Sequence, residues 1–564
     1  MKTFPSQLIY FLQNKTTRRN FSMLWKFIVF LALIICLYSV LFHVLMTYEG
    51  RYFSWITGFY WTMTVMSTLG FGDITFHTDL GLLFTMVVLL SGVLFLLILL
   101  PFTFIQFFYA PWLEAQEKAR TPRELPEDLK GHVIITSFDP ITTRLIERLV
   151  KQGIPYVIVT ADLRLANELI DQGFQIVVGE PDRPSTYRKL RIENAAMAVI
   201  TNDDLTNTNL SFTIREVNRD VPIITNADHE HSIDILEFSG NIQVFQFMKM
   251  LGESLSRRTL GVGMTTNIIG RFNDILISEM SALDTELVGK SLTEANIRQE
   301  TGVTVIGIME EGKFIASSPH TLFTQKSILM LAGSAAQLAS FDKRYMVQRD
   351  QKENEVQVVI LGGGRVGHAA AETLAQHGVQ YRIVEKRTIR TEGAEAGNFI
   401  VGDAADIATL KAAGIETAKS VIVTTHSDEM NIYLTFYCRQ LRPDIQIISR
   451  SILERNVSKL HMAGADLVMS YASLGAGTIY QILQPDGISL FSEGLSVLSI
   501  TAGVQFGGKT IMHSTIREKT GCSIIAIKRG DQMLISPVPE VEITESDELI
   551  LIGTTENEKR ILTL

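Results

Sequence analysis

Ser67-Thr68-Leu69-Gly70-Phe71-Gly72-Asp73 is the stretch on which the reading of this 564-residue chain turns. Its alternate glycines allow backbone conformations closed to other residues, so that successive carbonyl oxygens can face one axis and replace the water shell of a cation. Thr68 adds its hydroxyl to the innermost layer of that ladder. The preceding Ser54–Thr64 segment fits a half-helix whose negative C-terminal end would point toward the same axis. Tyr60 and Trp61 on it can brace the ladder from behind. Taken alone, Gly70 to Asp73 would also suit a glycine-rich extracellular turn.

The flanks decide between these readings. Phe27 to Met46 is a 20-residue run without Asp, Glu, Lys or Arg, long enough to cross ~30 Å of hydrocarbon as a helix. Leu80 to Leu100 is a second apolar run, broken only by Thr85 and Ser91 and followed by Pro101. A secretory signal is disfavoured for the first run, which is long and lacks a small-residue cleavage site. Lys2, Lys15, Arg18, Arg19 and Lys26 precede it with no acid among them, which keeps that end cytoplasmic and brings the chain back there after two spans. Ser6–Phe11 reads as a short interfacial helix or a basic tail. Neither span carries repeated arginines, so a voltage-sensing helix is absent. Gly92 offers a bend in the second span, Pro101 disfavours straight helix at its exit, and Leu97 stands between them as the candidate apolar gate. Leu96, Leu99 and Leu100 would join it at the axis.

With both flanks in place, the stretch resembles the potassium channel pore signature TVGYGD, with Leu69 for Val and Phe71 for Tyr. The resemblance implies potassium ions held along Thr68, Leu69, Gly70, Phe71, Gly72 and Asp73. Phe71 lacks a phenolic donor that commonly braces the filter, which keeps a weakly selective cation channel open as the rival.

The remainder is soluble in character and repeated. Fifty-one basic residues against 60 acidic ones give a net charge of −9, with no basic patch, which excludes nucleic acid as a natural partner. Cys36, Cys438 and Cys522 are too few and too scattered for a disulfide framework. After a charged linker bearing Pro111, Pro122 and Pro126, Lys151–Tyr156 aligns with Gln376–Tyr381, Val178–Glu180 with Val401–Asp403, and Gly289–Gly302 with Gly508–Gly521. The offset stays between 219 and 225 residues, so one domain type occurs twice. Val133–Thr136, Tyr156–Thr160, Gln175–Val178 and Ala198–Thr201 alternate with helical segments, the pattern of a doubly wound parallel sheet.

In the second copy Val358–Leu361 leads into Gly362-Gly363-Gly364-Arg365-Val366-Gly367, and Glu385 ends the next strand. Glycines at this turn admit a pyrophosphate to a helix N-terminus, and an acid about 20 residues on suits a ribose hydroxyl. A glycine turn kept for packing is the plain alternative. The first copy has Ser137, Asp139 and Thr142 at the glycine positions, and Asp139 would put negative charge where phosphates sit. Polar ligands gather there instead at Asn202-Asp203-Asp204 and Asp228-His229-Glu230-His231. Asp203, Asp204, Asp228 and Glu230 would suit a divalent cation, calcium by their oxygens and zinc less well by the imidazoles, or they simply cap the following helices.

The two copies, Val133–Phe341 and Gln357–Leu562, resemble RCK domains, regulators of potassium conductance, over about three quarters of the chain. The whole is similar to prokaryotic two-span potassium channels with tandem RCK domains of the multi-ligand-gated type. The resemblance implies a homotetramer in the lipid bilayer of the cell (inner) membrane, with eight cytoplasmic RCK domains in a ring. It further implies Arg365 and the glycine loop at phosphates, Glu385 at ribose, and Asp403 and Thr424 near the base of NAD, NADH, ADP or ATP. Asp203, Asp204 and Asp228 fall close to calcium positions of related domains.

The expected fold is an α-helical membrane pore followed by two α/β Rossmann-like domains, each with a small α+β lobe. Boundaries are placed at 1–110 (pore), 111–130 (linker), 131–240 (first lobe), 241–275 (helical crossover), 276–341 (C-terminal lobe), 342–356 (linker), 357–475 (nucleotide-binding lobe), 476–495 (crossover) and 496–564 (C-terminal lobe). An NAD-dependent oxidoreductase is disfavoured because no substrate domain with a His or Lys acid/base follows the fingerprint. A separate regulatory subunit is disfavoured because the pore signature lies on the same chain.

Overall fold

The computed structural model describes residues 15–109, 113, 121–260, 266–282, 285–310, 313–325, 327–345, 357–387, 397–484, 489–490, 495–554, 557 and 560–561. The expected Ser6–Phe11 helix, part of the first linker and most of the second lie outside the described residues.

In the pore, α1 (Lys15–Tyr48) is followed by α2 (Trp55–Met66), whose first turn is capped by the Ser54 hydroxyl accepting from the Thr57 amide. The second span begins at α3 (Asp79–Gly92), capped by Thr78. Phe42, Trp61, Phe76 and Phe84 form its aromatic centre, with Phe42 and Trp61 ring centroids 5.0 Å apart and Trp61 and Phe76 5.3 Å apart. Two expectations for the second span are corrected. It does not end at Leu100, since apolar helix runs from Asp79 to Phe107. Between them Val93–Leu99 forms a π-helical segment, with the Leu100 amide donating to the Phe95 carbonyl five residues back, so the wider turn precedes Pro101 and accommodates its missing N–H.

Gly92 is not a bend. Its φ of −62° and ψ of −48° are helical, and a Cβ there would lie 2.4 Å from the Cα of Met66. The glycine exists because the end of α2 crosses at that point. Leu96 and Leu100 pack against the pore's own core, whereas Leu97 is exposed on the single chain.

The C-terminal region contains the two copies. Strands β1–β6 (Val133–Ile135, Tyr156–Thr160, Ile176–Val178, Met197–Ile200, Ile223–Asn226, Ile242–Phe245) carry the first, with β1 between β2 and β4, and β5 and β6 continuing beyond β4, all parallel. Ile242–Phe245, placed in the crossover by its sequence, is thus a sixth strand paired with β5. Strands β7–β11 (Asn267–Phe272, Ile275–Ser281, Thr304–Glu310, Lys313–Ala316, Ile328–Gly333) form the small antiparallel sheet in the order β10-β9-β11-β8-β7. This sheet starts at Asn267, ahead of the expected boundary at 276.

The second copy repeats this. Strands β12–β17 (Val358–Leu361, Tyr381–Glu385, Phe399–Val401, Ser420–Val423, Gln446–Ser451, Leu467–Ser470) run in the order β14-β13-β12-β15-β16-β17, and β18–β22 (Ser489–Leu490, Leu495–Thr501, Ser523–Arg529, Gln532–Ile535, Glu548–Thr554) in the order β18-β19-β22-β20-β21.

Six helices hold the copies together and shape the site. They are α4 (Pro140–Lys151), α5 (Asp204–Arg215) and α6 (Phe247–Leu260) in the first copy, and α7 (Arg365–Gln376) and α8 (Asp428–Leu441) in the second; the crossover helix α9 (Tyr471–Leu483) completes the set. Each crossover helix packs on the first helix of the other copy. α6 lies on α7, where a Cβ on Gly252 would stand 2.4 Å from the Val366 carbonyl oxygen and 2.7 Å from the Ala369 Cβ. α9 lies on α4, where a Cβ on Gly475 would meet Ile141 at 2.5 Å. Leu251 and Leu255 consequently share one buried core with Val366, Ala370 and Leu374. Arg258 ties α6 to its own small sheet through a buried ion pair with Glu279 at 2.6 Å.

Gly252→Val should force α6 away from backbone that cannot yield, with a cost of about 1–3 kcal/mol. Thermal unfolding of the purified chain should show a lower midpoint for Gly252→Val, and an unchanged midpoint would mean the helices are not in this contact.

Candidate functional site

Two sites emerge from the sequence expectations, the pore loop and the glycine turn. In the pore loop, Thr68, Gly70 and Gly72 adopt positive φ values of 61°, 44° and 72°. Alternating handedness at every second residue places successive carbonyls on one side of the segment, the geometry a cation ladder requires. The loop hangs from the end of α2, with the Leu69 and Gly70 amides donating to the Thr64 carbonyl at 2.9 and 3.1 Å. Behind it the Tyr60 hydroxyl donates to Asp73 Oδ2 at 3.1 Å, and Trp61 Nε1 to the Ile74 carbonyl at 3.0 Å. The Tyr60 ring also lies parallel to Phe71, 3° apart in plane with centroids at 6.5 Å. The donor that Phe71 lacks is therefore supplied to the neighbouring carboxylate by the pore helix.

At the glycine turn, β12 ends at Leu361 and Gly364 is the N-cap of α7, with no side chain capping the helix among the described residues. Two of the glycines, Gly362 and Gly367, are required by their surroundings, whereas at Gly364 only the exposed His426 ring would have to give way. Gly362 has a φ of +115°, a Cβ on Gly364 would meet the His426 ring at 3.0 Å, and a Cβ on Gly367 would overlap the Gly362 carbonyl. The turn is thus drawn tight with its helical amides uncapped, a cradle for an anion. Glu385 reaches it from β13, its Oε2 accepting from the Gly363 amide at 2.7 Å and its Oε1 from Arg387 N at 3.1 Å. Thr424, buried at the end of β15, donates its hydroxyl to the Gly362 carbonyl at 2.9 Å and so braces the turn. Asp403 lies at the end of β14, accepting from the Ala405 amide at 3.0 Å and from Lys386 Nζ at 2.9 Å. Those two donors hold its carboxyl below the usual carboxylate range.

The turn opens into a cavity of about 520 Å³, within the ~300–1,000 Å³ of small-molecule sites. One wall is Gly363, Gly364, Arg365 and His368; the other comes from the first copy and includes Asp228, Glu230, Gln246 and Lys249. This second wall was not legible, because nothing in the sequence pattern shows that the crossover helix α6 lands on α7.

The first copy is built differently at the same turn. Asp139 caps α4, accepting from the Thr142 amide at 2.9 Å, and its Oδ2 accepts from the Thr201 hydroxyl at 2.5 Å and the Ser137 hydroxyl at 3.2 Å. A carboxylate of the protein itself fills the anion position.

The structure does not bring the four expected metal ligands together, and among the described residues no group of three or more His, Cys, Asp or Glu is placed to hold a metal ion. Asp203 is the N-cap of α5, binding the amide and hydroxyl of Thr206. Asp204 accepts from the amides of Asp228 at 2.7 Å and His229 at 3.1 Å. In the second copy Asp428 does the same for the amides of Ile452 and Leu453, so this carboxylate is a repeated brace for the loop after the fifth strand. Glu230 faces Lys249 at 3.8 Å, and Asp228 is paired with Arg365. The acids look like a ligand set in sequence because most of their partners, the amides of Asp228 and His229 for Asp204, Arg365 for Asp228 and Lys249 for Glu230, are remote along the chain, Thr206 beside Asp203 being the exception.

Residues 26–109 match the ion channel family, residues 133–246 and 358–471 the TrkA-N domain, and residues 281–345 and 495–564 the TrkA-C domain. Potassium channel protein 1 of Methanocaldococcus jannaschii is 31% identical over 233 residues, which cover 39% of this chain and 70% of that one. The chain belongs to the family of potassium channels with RCK domains. A second similar protein, the probable potassium channel protein 2 of the same organism, is 27% identical over 36% of this chain and 64% of its own length. The GsuK channel bound to NAD is 37% identical, covering 97% of this chain and 100% of that one with a TM-score of 0.57. The GsuK RCK domain is 34% identical, covering 80% of this chain and 99% of that one, again at 0.57. The channel is accordingly a membrane protein with two spans and two RCK copies.

Removing the Tyr60 hydroxyl while keeping its ring isolates the brace on Asp73. Tyr60→Phe should lower the potassium-to-sodium permeability ratio by up to about fivefold through loss of one hydrogen bond; reversal potentials in mixed salts read it directly, and an unshifted potential would place the brace elsewhere. For Asp204, burial opposes ionisation but the amides of Asp228 and His229 and the Ser232 and His229 side chains outweigh it, leaving the carboxyl below its usual range. Such a depressed group contributes stability that is complete above the ordinary carboxylate range and vanishes as the pH falls through the lowered value. Asp204→Ala should therefore destabilise the channel by about 1–2 kcal/mol at neutral pH and progressively less in acid, as thermal unfolding at a series of pH values would show.

Proposed function

We propose that this channel is a homotetramer in the inner membrane whose potassium pathway is opened or closed by a cytoplasmic ring of eight RCK domains, and that the second copy senses an adenine dinucleotide such as NAD. The observation that carries the sensing is the uncapped N-terminus of α7 behind a tight turn that requires Gly362 and Gly367, with Glu385 already hydrogen-bonded to the turn. A dinucleotide supplies a pyrophosphate for that cradle and a ribose whose hydroxyls suit Glu385. In this reading the amides of the turn and the Arg365 guanidinium hold the phosphates, Glu385 orients the ribose, and Asp403 and Thr424 border the adenine end. The similar GsuK channel was solved with NAD bound, which supports a nucleotide at this turn over a turn kept only for packing.

Orientation follows the basic residues Lys15, Arg18, Arg19 and Lys26 ahead of the apolar span, which favour a cytoplasmic N-terminus. Potassium ions occupy the ladder from Thr68 to Gly72, and Leu97, exposed just ahead of Pro101, supplies the apolar constriction that closes the pore by dewetting. A divalent cation is no part of this reading, because the four acids proposed for it are engaged as helix caps, loop braces and ion pairs.

Gly364→Asp puts a side chain and a negative charge into the cradle. In bilayer recordings with NAD on the RCK side, this substitution should weaken the apparent affinity for NAD at least about thirtyfold, roughly 2 kcal/mol, while unitary conductance stays at the wild-type value. An NAD response of unchanged affinity in Gly364→Asp would remove the second copy as the sensor.

A further inference from the structure

The Arg365 side chain, which stands at the mouth of the glycine cradle, already has an anionic partner. Its Nη1 is paired with Oδ1 of Asp228, a residue of the other copy that lines the same cavity. The pair is half-exposed, with side-chain accessibilities of 50% and 34%, so it is open to a competing anion and not a closed structural bridge. The remaining charges of the wall are Lys249 and Glu230, which face one another at 3.8 Å, and Glu372 on α7.

The fold does not require an acid at this place. Asp228 and Ile452 are equivalent, since the amide of each donates to the repeated aspartate, Asp204 in one copy and Asp428 in the other. An isoleucine therefore meets every backbone demand of the loop, and the Asp228 carboxylate is left to pair with Arg365, close enough to Tyr471 for its charge to be felt there. At the reciprocal contact, where the cradle is filled by Asp139, Arg144 stands 3.7 Å from Glu454.

We infer that Asp228 and the ligand's phosphate compete for Arg365, so that nucleotide binding exchanges one anion for another on a single guanidinium. The inference rests on the second copy being the nucleotide site. The exchange removes the ion pair that joins the loop after β5 to the second copy. Because the amides of that loop are held by Asp204 on α5, the occupancy of one copy is passed to a helix of the other. Asp228 is in this sense a regulatory residue of the site, lowering affinity in order to couple it.

The test is calorimetric titration of NAD into the purified full-length channel at low and high salt. Asp228→Asn keeps the size and the backbone amide of the residue but frees Arg365; it should bind NAD about three- to tenfold tighter than wild type at low salt, a modest gain because the pair is half-exposed. The gain should shrink in high salt and largely disappear when Arg365→Gln is present in both proteins compared. Equal or weaker binding by Asp228→Asn, or a gain that survives Arg365→Gln in full, overturns the exchange and leaves the nucleotide site standing, since wild type still binds. If wild type binds NAD no better than Gly364→Asp does, the nucleotide reading fails and the exchange falls with it.

Discussion

Reciprocal packing of the two crossover helices is the constraint on which the C-terminal region depends. α6 can reach α7, and α9 can reach α4, only because Gly252 and Gly475 present no side chain at the crossing. Both glycines occupy equivalent positions of the repeat, so the constraint was duplicated with the domain. The core formed there contains Leu251 and Leu255 from one copy and Val366 and Leu374 from the other, and neither copy would bury it alone. The same crossing carries Gln246, Met248 and Lys249 to the lip of the glycine cradle. A cavity with walls from both copies is thus a by-product of how the duplicated domains cover each other's apolar faces.

Features set by local backbone chemistry were legible from sequence, and features set by remote contacts were not. The pore loop announces itself because positive φ at alternate residues needs glycine at Gly70 and Gly72, although Thr68 joins them without being one. The glycine turn is similarly readable, since Gly362 and Gly367 are demanded by their own neighbourhood. Gly92 was misread for the opposite reason: in sequence it is an isolated glycine in a helix, and its cause, the backbone of Met66, lies on another element. The acids of the first copy stayed ambiguous between a cation site and helix caps for a related reason. The internal repeat held a corrective signal, because Asp428 stands where Asp204 does without carboxylate companions at Ile452, which marks the position as a brace for backbone amides. Ile242–Phe245 was assigned to the helical crossover because a short strand at a sheet edge has little pattern of its own.

In the pore, the combination of a π-helical stretch and Pro101 divides the second span into segments of different pitch. The tight crossing at Gly92 fixes the upper segment to the pore helix, while the lower one has no comparable glycine contact among the described residues. Stiffness is therefore distributed unevenly along one continuous apolar helix. The ladder above is held by Thr64, Tyr60 and Trp61, all on the pore helix, so its geometry is referred to the rigid end.

Asp139 carries a different kind of consequence. A carboxylate that permanently caps its own helix behaves as a ligand of infinite residence time, and it makes the first copy indifferent to solution composition at that turn. With Ser137, Asp139 and Thr142 where the second copy has its glycines, each polypeptide holds one turn closed by its own carboxylate and one whose helical amides are uncapped. The steepness of a dose–response curve for any anion taken up at such a turn is then limited by the number of polypeptides in the assembly, and not by the number of Rossmann folds.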